Sequence, residues 1–285
     1  MSRFFDWWGA RIRHIFTGER RYDRALSQRV ITSLCILAWG VGMLSIWVFV
    51  MLLIFTKRLK VKGRVNVLSI PPQNLLTCAN HGSVLGPGIV PMVWRMPRML
   101  FNPRKYNVWQ TPRKNIINTP FMQLGKLSPI IPVNFDQSGA SSDHIALRAI
   151  LLGIKQHTFL IFPEGTRSYH ASPPHRRTKS GVLLGSPFRG VGYIVYRARP
   201  TVVPILIKNE EYFFPPTKSL LVGIVTDVIP KIINIFGPSI EVTFGSPISF
   251  SDVPPYNPKV KKGELQRVCA DISARIMSEI AALDR

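Results

Sequence analysis

Residues 30–56 (VITSLCILAWGVGMLSIWVFVMLLIFT) carry no charged side chain. About 20 such residues suffice to cross a bilayer as a helix, and an apolar run of this length has no comfortable place in water. The expectation is therefore a membrane segment over residues 30–56, starting too late for an ordinary signal peptide. Basic residues flank both ends: Arg20, Arg21, Arg24 and Arg29 before it, Lys57, Arg58, Lys60, Lys62 and Arg64 after it. This symmetry leaves orientation open, and Gly40 and Gly42 leave both a single tilted span and a re-entrant hairpin open. Residues 1–29, aromatic at the start (Phe4, Phe5, Trp7, Trp8) and arginine-rich after Arg11, suit a basic/aromatic segment lying at a lipid interface.

The whole chain of 285 residues has 37 Lys+Arg against 15 Asp+Glu, a formal net charge of +22. With 46% hydrophobic and only 18% charged residues it is too apolar for a disordered basic tail. The excess implies an anionic partner: nucleic acid, an anionic membrane face or a phosphorylated substrate. The tract 176–179 (RRTK) has no aromatic stacking platform or nucleic-acid fold signature around it, so anionic membrane lipids explain it more simply. Cys35, Cys78 and Cys269 are isolated, which argues against a disulfide scaffold or a structural zinc site. His170 and His175 lack ligating neighbours and read as loop residues. No metal site is expected.

From residue 57 the texture changes to short apolar runs punctuated by Pro and Gly. Strands are expected at 74–80, 128–135, 157–163, 200–207 and 239–245, and helices over 141–155, 181–196 and 262–283. Their alternation implies an α/β domain with a mixed or mostly parallel sheet and flanking helices. The expected organisation is 1–29 interfacial segment, 30–56 membrane segment, 57–250 α/β domain, and 251–285 a C-terminal helix packed on that domain.

Two motifs stand directly after expected strands. Asn80-His81-Gly82-Ser83 puts an imidazole at a strand end, where α/β domains often carry reactive groups. FPEGTRS (162–168) offers a carboxylate, a glycine for close backbone approach, a hydroxyl, and in Arg167 a planar fork suited to phosphate. The serine in GSVLG (82–86) is not in a G-x-S-x-G nucleophile elbow, which sets aside a serine hydrolase.

With these motifs in this order, followed by FRG (188–190), VPI (203–205) and FGSPI (244–248), the chain resembles the glycerolipid acyltransferases of the 1-acylglycerol-3-phosphate acyltransferase type over roughly residues 57–250. The resemblance implies acyl transfer from acyl-CoA or acyl-carrier protein to the free hydroxyl of a lysophospholipid, 1-acylglycerol 3-phosphate going to phosphatidate. It implies His81 as catalytic base and Glu164, Gly165, Thr166 and Arg167 as the acceptor-binding group, with Arg167 on the phosphate. It implies no cofactor beyond the acyl donor, and a membrane location with the catalytic domain on the cytoplasmic side.

Two positions depart from the pattern. The fifth residue after the histidine, an aspartate in the family, is Gly86, and no Asp or Glu occurs between Asp23 and Asp136. Asp136, Asp143 or Glu164, or a backbone carbonyl, would have to support the imidazole. A basic residue expected after the second-motif strand is Asn134; Lys126, Arg176, Arg177, Lys179 or Arg189 would have to replace it. These departures leave two alternatives: another lyso-lipid acceptor, or a catalytically weak lipid-binding homologue.

Overall fold

The computed structural model describes residues 44, 47–83, 86–95, 98, 102–111, 131, 133, 144–166, 168, 175–213 and 237–284. The expected interfacial segment 1–29, most of the membrane segment, Lys126, Asn134, Asp136, Asp143, Arg167 and His170 lie outside the described residues, as does most of the strand expected at 128–135.

Six strands form one mixed sheet: β1 (Leu59–Lys62), β2 (Leu75–Ala79), β3 (Val108–Gln110), β4 (Thr158–Ile161), β7 (Thr201–Lys208) and β8 (Ile240–Phe244), in the order β1-β8-β7-β2-β4-β3. Strands β7, β2, β4 and β3 run parallel, while β8 turns back antiparallel to β7 and carries β1 parallel to itself. Strands β5 (Arg176–Arg177) and β6 (Leu183–Leu184) make a small separate hairpin. Every residue of β2 and β4 is buried, as are the six inner residues of β7. Strands covered on both faces read as continuous apolar runs, which is why these three were legible without alternation.

Successive side chains leave a strand on opposite faces, and the core divides accordingly. Leu75, Ala79, Leu160, Val203, Ile205 and Ile207 point to one side, where helix α1 (Gly86–Arg95) and residues 47–55, also helical, cover them. Leu76, Cys78, Phe159, Ile161, Val202 and Leu206 point to the other, beneath α2 (His144–Gly153), α3 (Arg189–Ala198) and α4 (Lys262–Ala282). The result is a three-layer α/β/α arrangement. Pro91 inside α1 has no N–H for the carbonyl of Pro87, and the side-chain amide of Gln110 donates to that carbonyl at 2.7 Å instead.

Helices α3 and α4 meet at Gly192. A Cβ there would sit 1.9 Å from the Cys269 carbonyl oxygen, so only glycine permits the approach. The Ser273 hydroxyl accepts from the Gly192 N–H at 3.0 Å and shares its one proton between the Phe188 and Cys269 carbonyls, stitching the N-terminus of α3 to α4. The helix expected over 181–196 is corrected here. Its first part is β6 and an extended stretch, and the helix starts at Arg189, after Pro187 and an extended Phe188. Proline biases the residue before it away from helix, and the apolar run continued smoothly enough to mask that break. Strand β3 was not expected at all: Trp109 and Gln110 are only partly buried and the strand is three residues long.

Among the described residues no helix is long and apolar enough to cross a membrane. The helical residues 47–55 bury Val50 and Leu53 yet expose Val48, Met51, Leu52, Ile54 and Phe55, the last at 87% of its surface.

Candidate active site

Strands β4, β2 and β7 are adjacent and parallel, so their C-terminal ends release three loops side by side: 162–166, 80–83 and 209–211. In open α/β sheets that edge is where ligand crevices form.

The central loop begins with Asn80, which is fully buried. Its side-chain amide donates to the Ile207 carbonyl at 2.9 Å, and its side-chain oxygen accepts from the Ile207 N–H at 2.7 Å. The side chain thus continues the β2–β7 ladder where the backbone leaves it. His81 follows on the freed backbone, half-buried, its ring stacked on Phe162 with centroids 4.3 Å apart. The His81 carbonyl accepts from the Ser168 N–H at 2.8 Å. Residues more than 80 positions apart in the chain are therefore locked together by a ring stack and a backbone bond.

The second loop turns at Gly165, whose φ of 63° is left-handed and whose Cβ, if present, would collide with the Phe188 ring at 2.7 Å. Glu164 is fully buried and accepts from the Ser168 hydroxyl at 2.6 Å. Burial lifts its carboxyl to about 7, while bonds from Ser168 and the Gly185 and His81 amides pull it down and the charge of Glu211 pushes it up. Thr166 is partly exposed beside it. Of the residues named from the sequence, His81, Glu164, Gly165 and Thr166 come together. Arg176, Arg177, Lys179 and Arg189 are all exposed, the first two on β5 and Arg189 at the start of α3.

The third loop supplies a residue the sequence reading passed over. Glu210, in the helical turn Glu210–Phe213 just after β7, is fully buried. Its carboxylate accepts from the Gly82 N–H at 2.9 Å and from the Ser83 hydroxyl at 3.0 Å. Burial lifts it to about 8, with the Ser83 bond opposing and the Glu211 charge adding to the rise. Glu211, half-buried, is raised by burial as well. One signal was available: in a chain with no acid between Glu164 and Glu210, an acidic pair directly follows a strand, as His81 and Glu164 do.

The fold so described is a mixed six-stranded α/β sheet with helices on both faces. Among solved structures, the chain is similar to the 1-acyl-sn-glycerophosphate acyltransferase of Thermotoga maritima, with a TM-score of 0.46 and 16% identity over 98% of this chain and 91% of that one. No protein-family model and no curated protein matches.

Proposed function

We propose that the protein is a membrane-attached glycerolipid acyltransferase that esterifies a lysophospholipid, with 1-acylglycerol 3-phosphate the leading acceptor. The carrying observation is the junction of the two motif loops: His81 stacked on Phe162 and bonded through its carbonyl to Ser168. Motifs remote in sequence make one surface, with an imidazole, a carboxylate, a hydroxyl and a left-handed glycine around it. Arg167, from the same loop, is assigned to the acceptor phosphate on the motif resemblance.

In this reading His81 takes the proton of the acceptor hydroxyl as its oxygen attacks the thioester carbonyl of the donor. The new O–C bond forms, the C–S bond breaks, and the imidazolium returns the proton to the leaving thiolate. An imidazole suits this exchange because its ordinary pKa lies near neutrality. The uncharged run 30–56, the exposed apolar side chains at 48–55 and the net charge of +22 all favour an anionic membrane surface.

The test is acyl transfer by purified full-length protein from labelled acyl-CoA or acyl-carrier protein to a panel of lyso-lipids. His81→Ala is expected to lower turnover by about 10²–10⁴-fold. Unimpaired activity in His81→Ala would reject the histidine as base. An inactive parent protein across the whole panel would favour the lipid-binding homologue.

A further inference from the structure

Two glycines of the His81 loop face the same carboxylate. A Cβ on Gly82 would lie 2.8 Å from Glu210 Oε1, and one on Gly86 would lie 3.2 Å from Oε2 and 3.3 Å from Ile207 Cδ1. Neither glycine is among those with left-handed φ, so what these two positions provide is room. Glu210 fills it, bonded to Gly82 and Ser83, and no lysine or arginine pairs with it among the described residues. A fully buried carboxylate without a counter-ion is costly. Its charged neighbours deepen the cost, since Glu211 is acidic and adds to the rise in its pKa. The group next along the chain that becomes positive during turnover is the imidazole of His81, one peptide bond from the amide Glu210 holds.

Resting on the acyl-transfer reading, we propose that Glu210 is the positioning carboxylate of His81. It fixes the loop that carries the imidazole through the Gly82 N–H and the Ser83 hydroxyl, and in its ionised form, above about pH 8, it stabilises the positive charge formed when His81 takes the acceptor proton. It reaches the site from the end of β7, through space, and fills the volume that an aspartate at position 86 would claim. The missing family carboxylate is thereby replaced by one more than 120 residues away in sequence.

The proposal predicts an unusual double-variant pattern. The full-length protein is prepared as Glu210→Gln, Glu210→Ala, Gly86→Asp and the combination Glu210→Ala/Gly86→Asp. Two quantities are read across about pH 6 to 9: kcat and KM with acyl-CoA and lyso-lipid, and the rate of His81 modification by diethyl pyrocarbonate, followed on the His81 peptide by mass spectrometry. Glu210→Gln retains an acceptor for Gly82 and keeps the fold. At about pH 9, where Glu210 is ionised, it is expected to lower kcat by about 10–100-fold, to leave acceptor KM within about threefold and to slow His81 modification, while at about pH 6.5, where Glu210 keeps its proton, the two proteins differ little. Gly86→Asp alone gains no activity, because its side chain meets Glu210. The combination recovers kcat above Glu210→Ala. The same kcat–pH profile in the parent and Glu210→Gln would overturn the proposal, as would a combination no better than Glu210→Ala. If the parent protein acylates no lyso-lipid while the His81 modification rate above about pH 8 still changes with Glu210, the acyl-transfer reading fails and the Glu210–His81 coupling stands.

Discussion

Raising the pH from 5 to 9 should weaken this fold, and Glu210 should account for the largest share of the loss. Its carboxyl titrates near 4.5 when the chain is unfolded and near 8 when buried against Gly82 and Ser83. Between those values the folded state keeps a proton that the unfolded state has released, so stability falls as pH rises and the full cost is present above about pH 8. Each pKa unit is worth about 1.4 kcal/mol, and a shift of three to four units corresponds to a loss on the order of 5 kcal/mol. Glu164, lifted to about 7, adds a smaller loss that is complete sooner. Asp284 does not interfere in this window. Burial pushes it up, but Lys208, Thr178 and Ser180 hold it well below the usual carboxylate range, so its contribution is lost only in acid. Glu210→Gln stays neutral at every pH. Urea unfolding in one detergent across pH 5–9 should therefore give a flatter curve for Glu210→Gln, close to the parent at pH 5 and more stable by a few kcal/mol at pH 9. Parallel curves for the two proteins would refute the reasoning, since they would mean that Glu210 is solvated or already neutralised. A variant that is more stable yet slower would also separate a role in turnover from a role in holding the fold.

Two further expectations concern the scaffold and its attachment. Gly192→Ala must push α4 off α3, because its Cβ would lie 1.9 Å from the Cys269 carbonyl oxygen; a loss of about 3 kcal/mol or more is expected in the same unfolding assay, and an unchanged midpoint would contradict the described helix contact. The uncharged run 30–56 should keep full-length protein in the membrane pellet through high-salt and alkaline washing; release of most of it by salt would leave only electrostatic attachment.

The sequence by itself determined the elements whose signal is local. Strands β2, β4 and β7 are buried on both faces, so their apolar runs announced them, and the two loops that follow β2 and β4 carry their motifs in contiguous residues. The net charge and the uncharged run at 30–56 likewise needed no partner to be read. What the sequence left open is the side-by-side order of β4, β2 and β7, because strand adjacency is set by packing and by crossover connections, not by any single segment. That order brings two carboxylates to the His81 loop, Glu164 at the His81 amide and Glu210 at the Gly82 amide. Reading along the chain leaves Gly86 as a gap, with Asp136, Asp143, Glu164 or a backbone carbonyl to fill it. Only the folded sheet brings Glu210 to Gly82 and Gly86, since a buried ionisable group is held by hydrogen bonds and excluded volume from residues over 120 positions away, and neither leaves a local trace.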